Sequence, residues 1–439
     1  MFERDIEVEL KKWQDSPIRK VLVLRGARQV GKTSVVRKFG GDNFRQVVEV
    51  NLENKEHQQI FAGVLSVADF VQRAEVQLGK ELVDGESLLF VDEIQESQEM
   101  LELLRFFVEE RPKLHVVVAG SLLEAKMAGK WSVPVGRVEY MYLYPLTFFE
   151  YLRVVGQEKW REYLSKLQLG QKMTGEVAIQ RLFRDYMLVG GMPEVVESYV
   201  KNKNMLLVQE IQSRLQTSYI DDIAKYASSA ERKYLELVIV TAPKLAGELF
   251  KYENMGESGY RGREMREAVE ILEKIMLLRQ VKSVNSVELP LLPKEKRAKK
   301  MIYLDTGMVN YINKVQSELM GGKYRGKVME QVVGQILIAS SLREKRELYY
   351  WARDRDQGSA EVDFVLLQGE KVVAMEVKLG ETRVMKSMFS MLESGGNKIV
   401  PVRVGWDALK MEKYKYRKQE YEILSLPFYL LDRWEELVG

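Results

Sequence analysis

The residues with the clearest chemistry are Gly26-Ala27-Arg28-Gln29-Val30-Gly31-Lys32-Thr33-Ser34. Two glycines followed by Lys-Thr let a loop turn its backbone N–H groups inward around a phosphate. From that loop Lys32 reaches the β- and γ-phosphates, and the Thr33 hydroxyl ligates Mg²⁺. An apolar run, Val21 to Leu24, precedes the loop, and the pattern from Thr33 to Phe39 predicts a helix whose N-terminus adds partial positive charge. Strand, loop and helix are the context a Walker A phosphate loop requires, so Gly26 to Ser34 are assigned to ATP. Arg28 is expected to meet solvent or a partner. Further along, Leu88-Leu89-Phe90-Val91 ends in Asp92-Glu93, the Walker B pattern. Asp92 stands on the metal side there, and Glu93 orients and deprotonates the attacking water. The run His115 to Ala119 leads to Gly120-Ser121. In a parallel sheet the C-terminal strand ends converge on the ligand, which puts Ser121 near the γ-phosphate or the water. Capping of the following helix is the other reading of Ser121.

A second constellation lies near the C-terminus. Val328 to Leu342 predicts a helix carrying Glu330. Leu348 to Ala352 predicts a strand, and Ala360 to Leu366 a further one with Asp363 in its middle. After a turn at Gln368-Gly369-Glu370, a third strand holds Glu376 and Lys378. Two residues apart on one strand, these two share a face. Carboxylates on adjacent strands repel unless a cation sits between them. With only oxygen ligands on offer, Mg²⁺ or Mn²⁺ suits Asp363 and Glu376, with Glu330 completing the shell. Lys378 is placed to orient a water or offset charge on a phosphate.

The elements that must position these groups follow the chain. Ile6 to Trp13 predicts a short amphipathic helix, Arg45 to Asn51 a strand and Val67 to Leu78 a helix. Helices are expected over Tyr151–Leu167, Glu176–Met187, from Pro193 to Tyr199, and over Met205–Tyr226. Asp221 and Asp222 near the end of the last read as a solvated acidic helix end. Glu231 to Tyr252 predicts two short helices broken at Pro243. A helix from Gly259 to Leu278, with Arg261, Arg263 and Arg266 at its start, precedes strands at Leu278–Val284 and Lys300–Leu304. Helices followed by a hairpin form a winged-helix pattern. Its hairpin lysines and arginine, Lys294, Lys296, Arg297, Lys299 and Lys300, offer a surface for DNA phosphates or remain a solvated basic loop. The spacer Gly321 to Lys327 is the clearest linker signal. Strands are expected at Ile399–Val404 and Ile423–Pro427, and Met411 to Glu420 interleaves Lys413, Lys415, Arg417 and Lys418 with Tyr414 and Tyr416.

Three groups of residues carry a family resemblance: Gly26 to Thr33, Asp92-Glu93-Ile94-Gln95 and Ala119-Gly120-Ser121. Joined by Val135-Gly136-Arg137-Val138, Leu143 to Glu150 and Gly190-Gly191-Met192-Pro193-Glu194, the pattern resembles the AAA-type ATPases of bacteria and archaea with an uncharacterised C-terminal domain. The resemblance implies ATP binding and slow hydrolysis, and a helical lid after the core. It also implies that Arg137 can act as a finger on the γ-phosphate, in cis or from a neighbouring subunit, an ordinary surface arginine being the alternative. Glu330, Asp363 and Glu376-x-Lys378 resemble the PD-(D/E)XK nuclease fold, with Val362 where that fold often has proline. The fold class expected is therefore multidomain α/β. A parallel-sheet AAA-type core (1–152) is followed by a helical lid (153–228), a winged-helix middle (229–318) and a restriction-endonuclease-like domain (319–439).

Composition excludes other classes. The 439 residues contain no cysteine and two histidines, which removes disulfide frameworks, thiolate zinc sites and cysteine nucleophiles. The N-terminus is charged and no apolar run approaches the length of a membrane span, so neither a leader nor a membrane is expected and the cytoplasm is the default. A net charge of +3 confines nucleic-acid binding to local patches. The functional expectation is an ATP hydrolase coupled to DNA binding or processing by a metal-dependent nuclease-like domain. The rival is a switch-type ATPase whose C-terminal domain is catalytically inactive and binds DNA or a protein partner. Homo-oligomerisation stays open.

Overall fold

The computed structural model describes residues 1–439 except 121–135, 227–228, 254, 316–321, 355–359, 381–384, 396–398 and 418. The chain divides into two units. The first comprises Met1–Tyr144, Lys274–Met276 and Ser341–Lys345; the second comprises Pro145–Glu273, Leu277–Ser340 and Arg346–Gly439. The segments 153–228, 229–318 and 319–439 thus all fall, but for a few residues, in the second unit.

In the first unit the apolar runs become strands β1 (Val21–Arg25), β2 (Gln46–Asn51), β3 (Ser87–Asp92), β4 (His115–Gly120) and β5 (Val138–Tyr142). They form one sheet in the order β2-β3-β4-β1-β5, every pair parallel. The three strands β1, β3 and β4 are buried along their whole length, as parallel strands covered on both faces must be. Helices α1 (Ile6–Gln14), α2 (Lys32–Asn43), α3 (Lys55–Phe61), α4 (Val67–Leu78) and α5 (Gln98–Glu110) accompany them. Ser66 and Ser97 cap α4 and α5 by accepting from Asp69 N and Met100 N. In α5 the buried Met100, Leu104 and Phe107 recur at helical spacing, and Phe107 packs edge-on to Phe70, which stacks on Phe61.

The second unit begins with α6 (Phe148–Val154), α7 (Glu158–Lys166), α8 (Glu176–Val189), α9 (Pro193–Asn202), α10 (Met205–Tyr226) and α11 (Ser229–Thr241). The single helix expected over Tyr151–Leu167 is two helices, because Gly156 takes φ 78° between them and Thr147 with Glu150 forms a capping box that starts the first one early. The second helix expected near Pro243 is a 3₁₀ turn, Ala242–Leu245, followed by the short strand β6 (Leu249–Phe250).

Next come α12 (Gly262–Lys274), β7 (Leu278–Val284), β8 (Lys299–Tyr303), α13 (Thr306–Ile312) and α14 (Gly322–Ala339). The expected linker is therefore a correction: from Gly322 onward it forms the first turns of α14. Each glycine costs about 1 kcal/mol of helix propensity. Burial of Val328, Met329, Val332, Val333, Ile336 and Leu337 outweighs this, at roughly 1.5–3 kcal/mol per side chain.

The chain ends with β9 (Tyr349–Ala352), β10 (Glu361–Gln368), β11 (Lys371–Val377), α15 (Lys386–Gly395), β12 (Ile399–Gly405), β13 (Lys410–Tyr416), β14 (Gln419–Pro427) and α16 (Trp434–Val438). One mixed nine-stranded sheet runs β13-β14-β12-β11-β10-β9-β7-β8-β6. The hairpin β7–β8 expected as a wing is continuous with the strands of the C-terminal segment, since β7 pairs in parallel with β9 from Lys282↔Tyr349 to Val284↔Trp351. Among the described residues no helix is long and apolar enough to cross a membrane.

Candidate functional site

The phosphate loop leaves β1 and turns into α2 through Gln29 at φ 65° and Gly31 at φ 96°, a left-handed position that glycine adopts without strain. Gly26 is sterically required, because a Cβ there would stand 2.5 Å from the Leu143 carbonyl oxygen and 2.9 Å from a Val30 methyl. Ala27 and Val30 are buried while Gln29 and Ser34 are exposed, so the loop offers its backbone inward. Buried Arg4 donates to Val30 O at 3.2 Å and Tyr144 O at 2.7 Å, bracing the loop from the N-terminal segment. Arg28 lies 3.7 Å from Glu53 at the surface.

Lys32 is 6% exposed and its Nζ donates to the loop's own carbonyls, Gly26 O at 3.0 Å and Ala27 O at 2.9 Å. Burial pushes the ammonium down to about 8, while Glu93 and Asp92 oppose that shift. The Thr33 hydroxyl donates to Asp92 Oδ2 at 2.6 Å, and Glu93 N donates to Asp92 Oδ1 at 3.0 Å. Burial holds the Asp92 carboxyl above its ordinary value, against the Thr33 hydrogen bond. Glu93 takes a left-handed φ of 52°, and Gln95 Nε2 donates to Glu93 Oε2 at 2.5 Å. Gln95 was not singled out as a site residue, although it closes the Asp92-Glu93-Ile94-Gln95 pattern. Its side chain packs so tightly on the end of β4 that a Cβ on Gly120 would lie inside 3.0 Å of Gln95 Oε1. The donors and acceptors fit Mg-ATP: a hydroxyl and a carboxylate already in contact, with a buried ammonium beside a helix N-terminus.

Two further groups were expected here. Ser121 lies outside the described residues. Arg137 precedes β5, whose first residue Val138 pairs with Val21 at the start of β1, whereas the loop follows the end of β1. A five-residue strand, roughly 16 Å, therefore separates Arg137 from its own chain's loop. Its guanidinium pairs with Glu109 at 3.0 Å.

The C-terminal carboxylates do come together, but around a lysine. Lys300 on β8, 1% exposed, places Nζ 2.6 Å from Glu330 Oε2, 3.4 Å from Glu361 Oε1 and 3.4 Å from Asp363 Oδ1. Burial alone would lower this ammonium, and the Asp363, Glu330 and Glu361 carboxylates together raise it above its ordinary value. Asp363 Oδ2 accepts from Val377 N at 2.8 Å. Lys378 Nζ pairs with Glu376 Oε1 at 2.7 Å, and Glu376 Oε2 is buried without a hydrogen-bond partner. Among the described residues no three Asp, Glu or His side chains are arranged to hold a metal ion. Of the expected metal residues, Glu330 and Asp363 thus meet at the Lys300 ammonium, and Glu376 stands with Lys378. Lys300 and Glu361 were missed as members of this site; the signal was a lysine opening the apolar run Met301 to Leu304.

The basic surfaces are smaller than expected. On α12 Arg263 pairs with Glu267 and Arg266 with Glu270 one turn on, so these two arginines are neutralised within their own helix. In the hairpin Lys299 and Lys300 are buried and Arg297 pairs with Asp354 at 2.6 Å, leaving Lys294 and Lys296 exposed.

Comparison with known proteins decides the first unit. Residues 18–152 match the AAA domain family. The chain carries an AAA-type P-loop ATPase domain. Residues 180–319 match Domain of unknown function (DUF8612), and residues 325–429 match Domain of unknown function (DUF4143). No curated protein matches the chain. Among solved structures, the Thermotoga maritima RuvB Holliday junction branch migration motor is 16% identical, covering 66% of this chain and 89% of that one at a TM-score of 0.30. Aeropyrum pernix Orc1 in complex with DNA is 14% identical, covering 71% and 93% at 0.28. Drosophila ORC bound to DNA is 16% identical, covering 70% and 93% at 0.28. At these values the likeness says nothing about ligand or partner. The AAA domain accounts for the parallel sheet and the loop at its strand ends.

Proposed function

We propose that the protein is a Mg-dependent ATP hydrolase whose nucleotide state is coupled to DNA binding by the second unit. The observation that carries the nucleotide half is the 2.6 Å contact between the Thr33 hydroxyl and Asp92, beside the buried Lys32. In this reading Thr33 and Asp92 would hold Mg²⁺, which would supply charge neutralisation to the phosphates. The loop amides from Gly26 to Ser34 cradle the phosphates. Lys32 exchanges two neutral carbonyl partners for phosphate oxygens, a gain for a buried ammonium. Glu93, held by Gln95, orients the attacking water and takes its proton. Ser121, which follows β4 in the sequence, is assigned the role of γ-phosphate sensor. A finger role for Arg137 requires a neighbouring subunit, because its own loop is a strand's length away. Loss of Lys32 removes a charge-assisted contact, so Lys32→Ala is expected to weaken ATP binding on the order of a hundredfold. Glu93→Gln should keep binding and lose turnover. Fluorescent-nucleotide titration with phosphate-release assays checks both, and a Lys32→Ala protein that binds and hydrolyses like the parent overturns the reading.

DNA contact is assigned to the exposed Lys294 and Lys296 and to Lys415 on β13. Affinity carried by phosphate contacts falls with salt, by about 0.9 in the log–log slope for each phosphate neutralised. Lys294→Glu with Lys296→Glu is expected to flatten that slope by about two units in anisotropy titrations of duplex DNA. An unchanged slope removes this face from the interface. A second reading, the switch whose C-terminal segment binds without cutting, is favoured by one observation: the Lys300 ammonium among the acids that cleavage would need for metal.

A further inference from the structure

We infer that Lys300 is a built-in countercation standing where a divalent metal would sit, so that the C-terminal carboxylate set is a closed ion lock and not a metal centre. The inference rests on reading the 319–439 segment as nuclease-like, and it explains why its acids, though gathered, are not free to ligate.

Each acid has at least one internal donor. Glu330 on α14, and Glu361 and Asp363 on β10, surround one ammonium at 2.6–3.4 Å. That spacing suits N–H···O bonds, whereas Mg²⁺ needs oxygens at about 2.0–2.1 Å in near-octahedral array. The second Asp363 oxygen is taken by the Val377 amide, and one Glu376 oxygen is taken by Lys378, the other being buried without a partner. A dication entering beside the Lys300 charge would meet repulsion in a site where the ammonium is 1% exposed and has no water to retreat into. Lys300 cannot swing aside cheaply either. Its strand is paired on both sides, to β7 at Val281 and to β6 at Leu249.

The origin of the plug adds weight. Lys300 lies in the segment matching DUF8612, and all four acids lie in the segment matching DUF4143. The C-terminal segment read by itself offers an open set of acids, and the preceding segment fills it. The lock therefore ties β8 to β10 and α14, which is work an inactive nuclease-like fold can do in a binding module.

Removing the one ammonium should open the site. In the full chain without nucleotide, Mn²⁺ titration by calorimetry, compared between parent and Asp363→Asn, is expected to reveal no site lost. Lys300→Ala should gain one Mn²⁺ site that Lys300→Ala with Asp363→Asn lacks. Its Tm should rise with Mn²⁺, on the order of 5 °C at a hundredfold excess over Kd, where the parent's does not. Lys300→Gln serves where the alanine variant fails to fold. A parent protein that binds Mn²⁺ in a manner abolished by Asp363→Asn overturns the inference, as does a folded Lys300 variant with no added site. ATP hydrolysis is followed in the same samples. Its absence from the parent would refute the nucleotide reading and leave the Mn²⁺ count to decide the lock. Metal-dependent DNA cleavage lost in Asp363→Asn would instead restore the nuclease reading and remove the inference.

Discussion

Gly190→Ala is expected to destabilise the second unit by about 4 kcal/mol, the sum of two independent penalties. Gly190 follows α8 with φ 83° and ψ −174°, a region closed to residues with a Cβ. An added Cβ would also stand inside 3.0 Å of the Asp305 carboxylate. Asp305 is fully buried and joins two segments that are far apart in the sequence. Its Oδ2 accepts from Gly191 N at 2.6 Å, and its Oδ1 accepts from Met308 N at 3.0 Å, capping α13. Burial pushes this carboxyl up to about 6, with the Gly191, Met308 and Gly307 amides opposing. The neighbouring glycines are as constrained. A Cβ on Gly191 would lie 2.8 Å from Leu146 N and closer to its carbonyl oxygen, and one on Gly307 would lie 2.5 Å from Gly190 N. Asp305→Asn tests the charge within the same joint. One amide oxygen cannot serve both backbone donors, and the NH₂ must face one of them, for an expected loss of about 2 kcal/mol. Gly170→Ala is the control: its φ is also positive, at 78°, but nothing lies within 4 Å, so only the conformational penalty of about 1–2 kcal/mol applies. Urea melts of the three variants check this, and equal losses for Gly190→Ala and Gly170→Ala would show that the close approach to Asp305 contributes nothing.

That joint marks where sequence reading stops. The Gly26 to Thr33 loop was legible because a local backbone shape, flanked by a buried strand and a helix, is written in adjacent residues. The same holds for Asp92 at the end of its apolar run. Gly190 and Gly191 were visible as part of the family pattern. Their meaning was not, because each glycine is required by an atom supplied from another segment. Lys300 shows the same limit. Five basic residues along Lys294–Lys300 read as one exposed patch, since composition does not say which way a strand faces. Pairing of β8 with both β7 and β6 turned two of the five inward. The Glu partners of Arg263 and Arg266, by contrast, stood in plain view at helical spacing. The net charge on a helix face is set by such pairs and not by its arginines alone.

A drop in pH from 7 to 4 is expected to weaken the first unit through His115, by about 3 kcal/mol when the displacement is complete. His115 opens β4, is 6% exposed, and meets Trp13 and Phe44 edge-on at 5.8 and 4.7 Å between ring centres. Burial pushes the imidazole down to about 4, Arg19 adds to the shift, the Gln14 carbonyl and Asp15 oppose it, and Lys11 reinforces it. In the unfolded chain the ring protonates near 6.5. The contribution is therefore fully present above about 6.5, where both states carry a neutral ring. Below that the unfolded chain binds a proton that the folded ring refuses, so stability is lost until the pH reaches the folded value near 4. His115→Phe removes the titration and keeps an aromatic edge against Trp13 and Phe44. Carboxylates titrate in the same window, so the decisive quantity is the difference between parent and variant. It should be about 3 kcal/mol smaller at pH 4 than at pH 7 if His115 is the cause, and constant if it is not. Direct titration by NMR gives a second measure. The chain has one other histidine, His57, whose Nδ1 accepts from the Asn51 amide. The His115 ring should hold its neutral shift at pH 5.5. A His115 signal that titrates near 6.5 in the folded protein would mean that water reaches the ring, and the aromatic cluster around Trp13 would then be ruled out as the source of acid sensitivity.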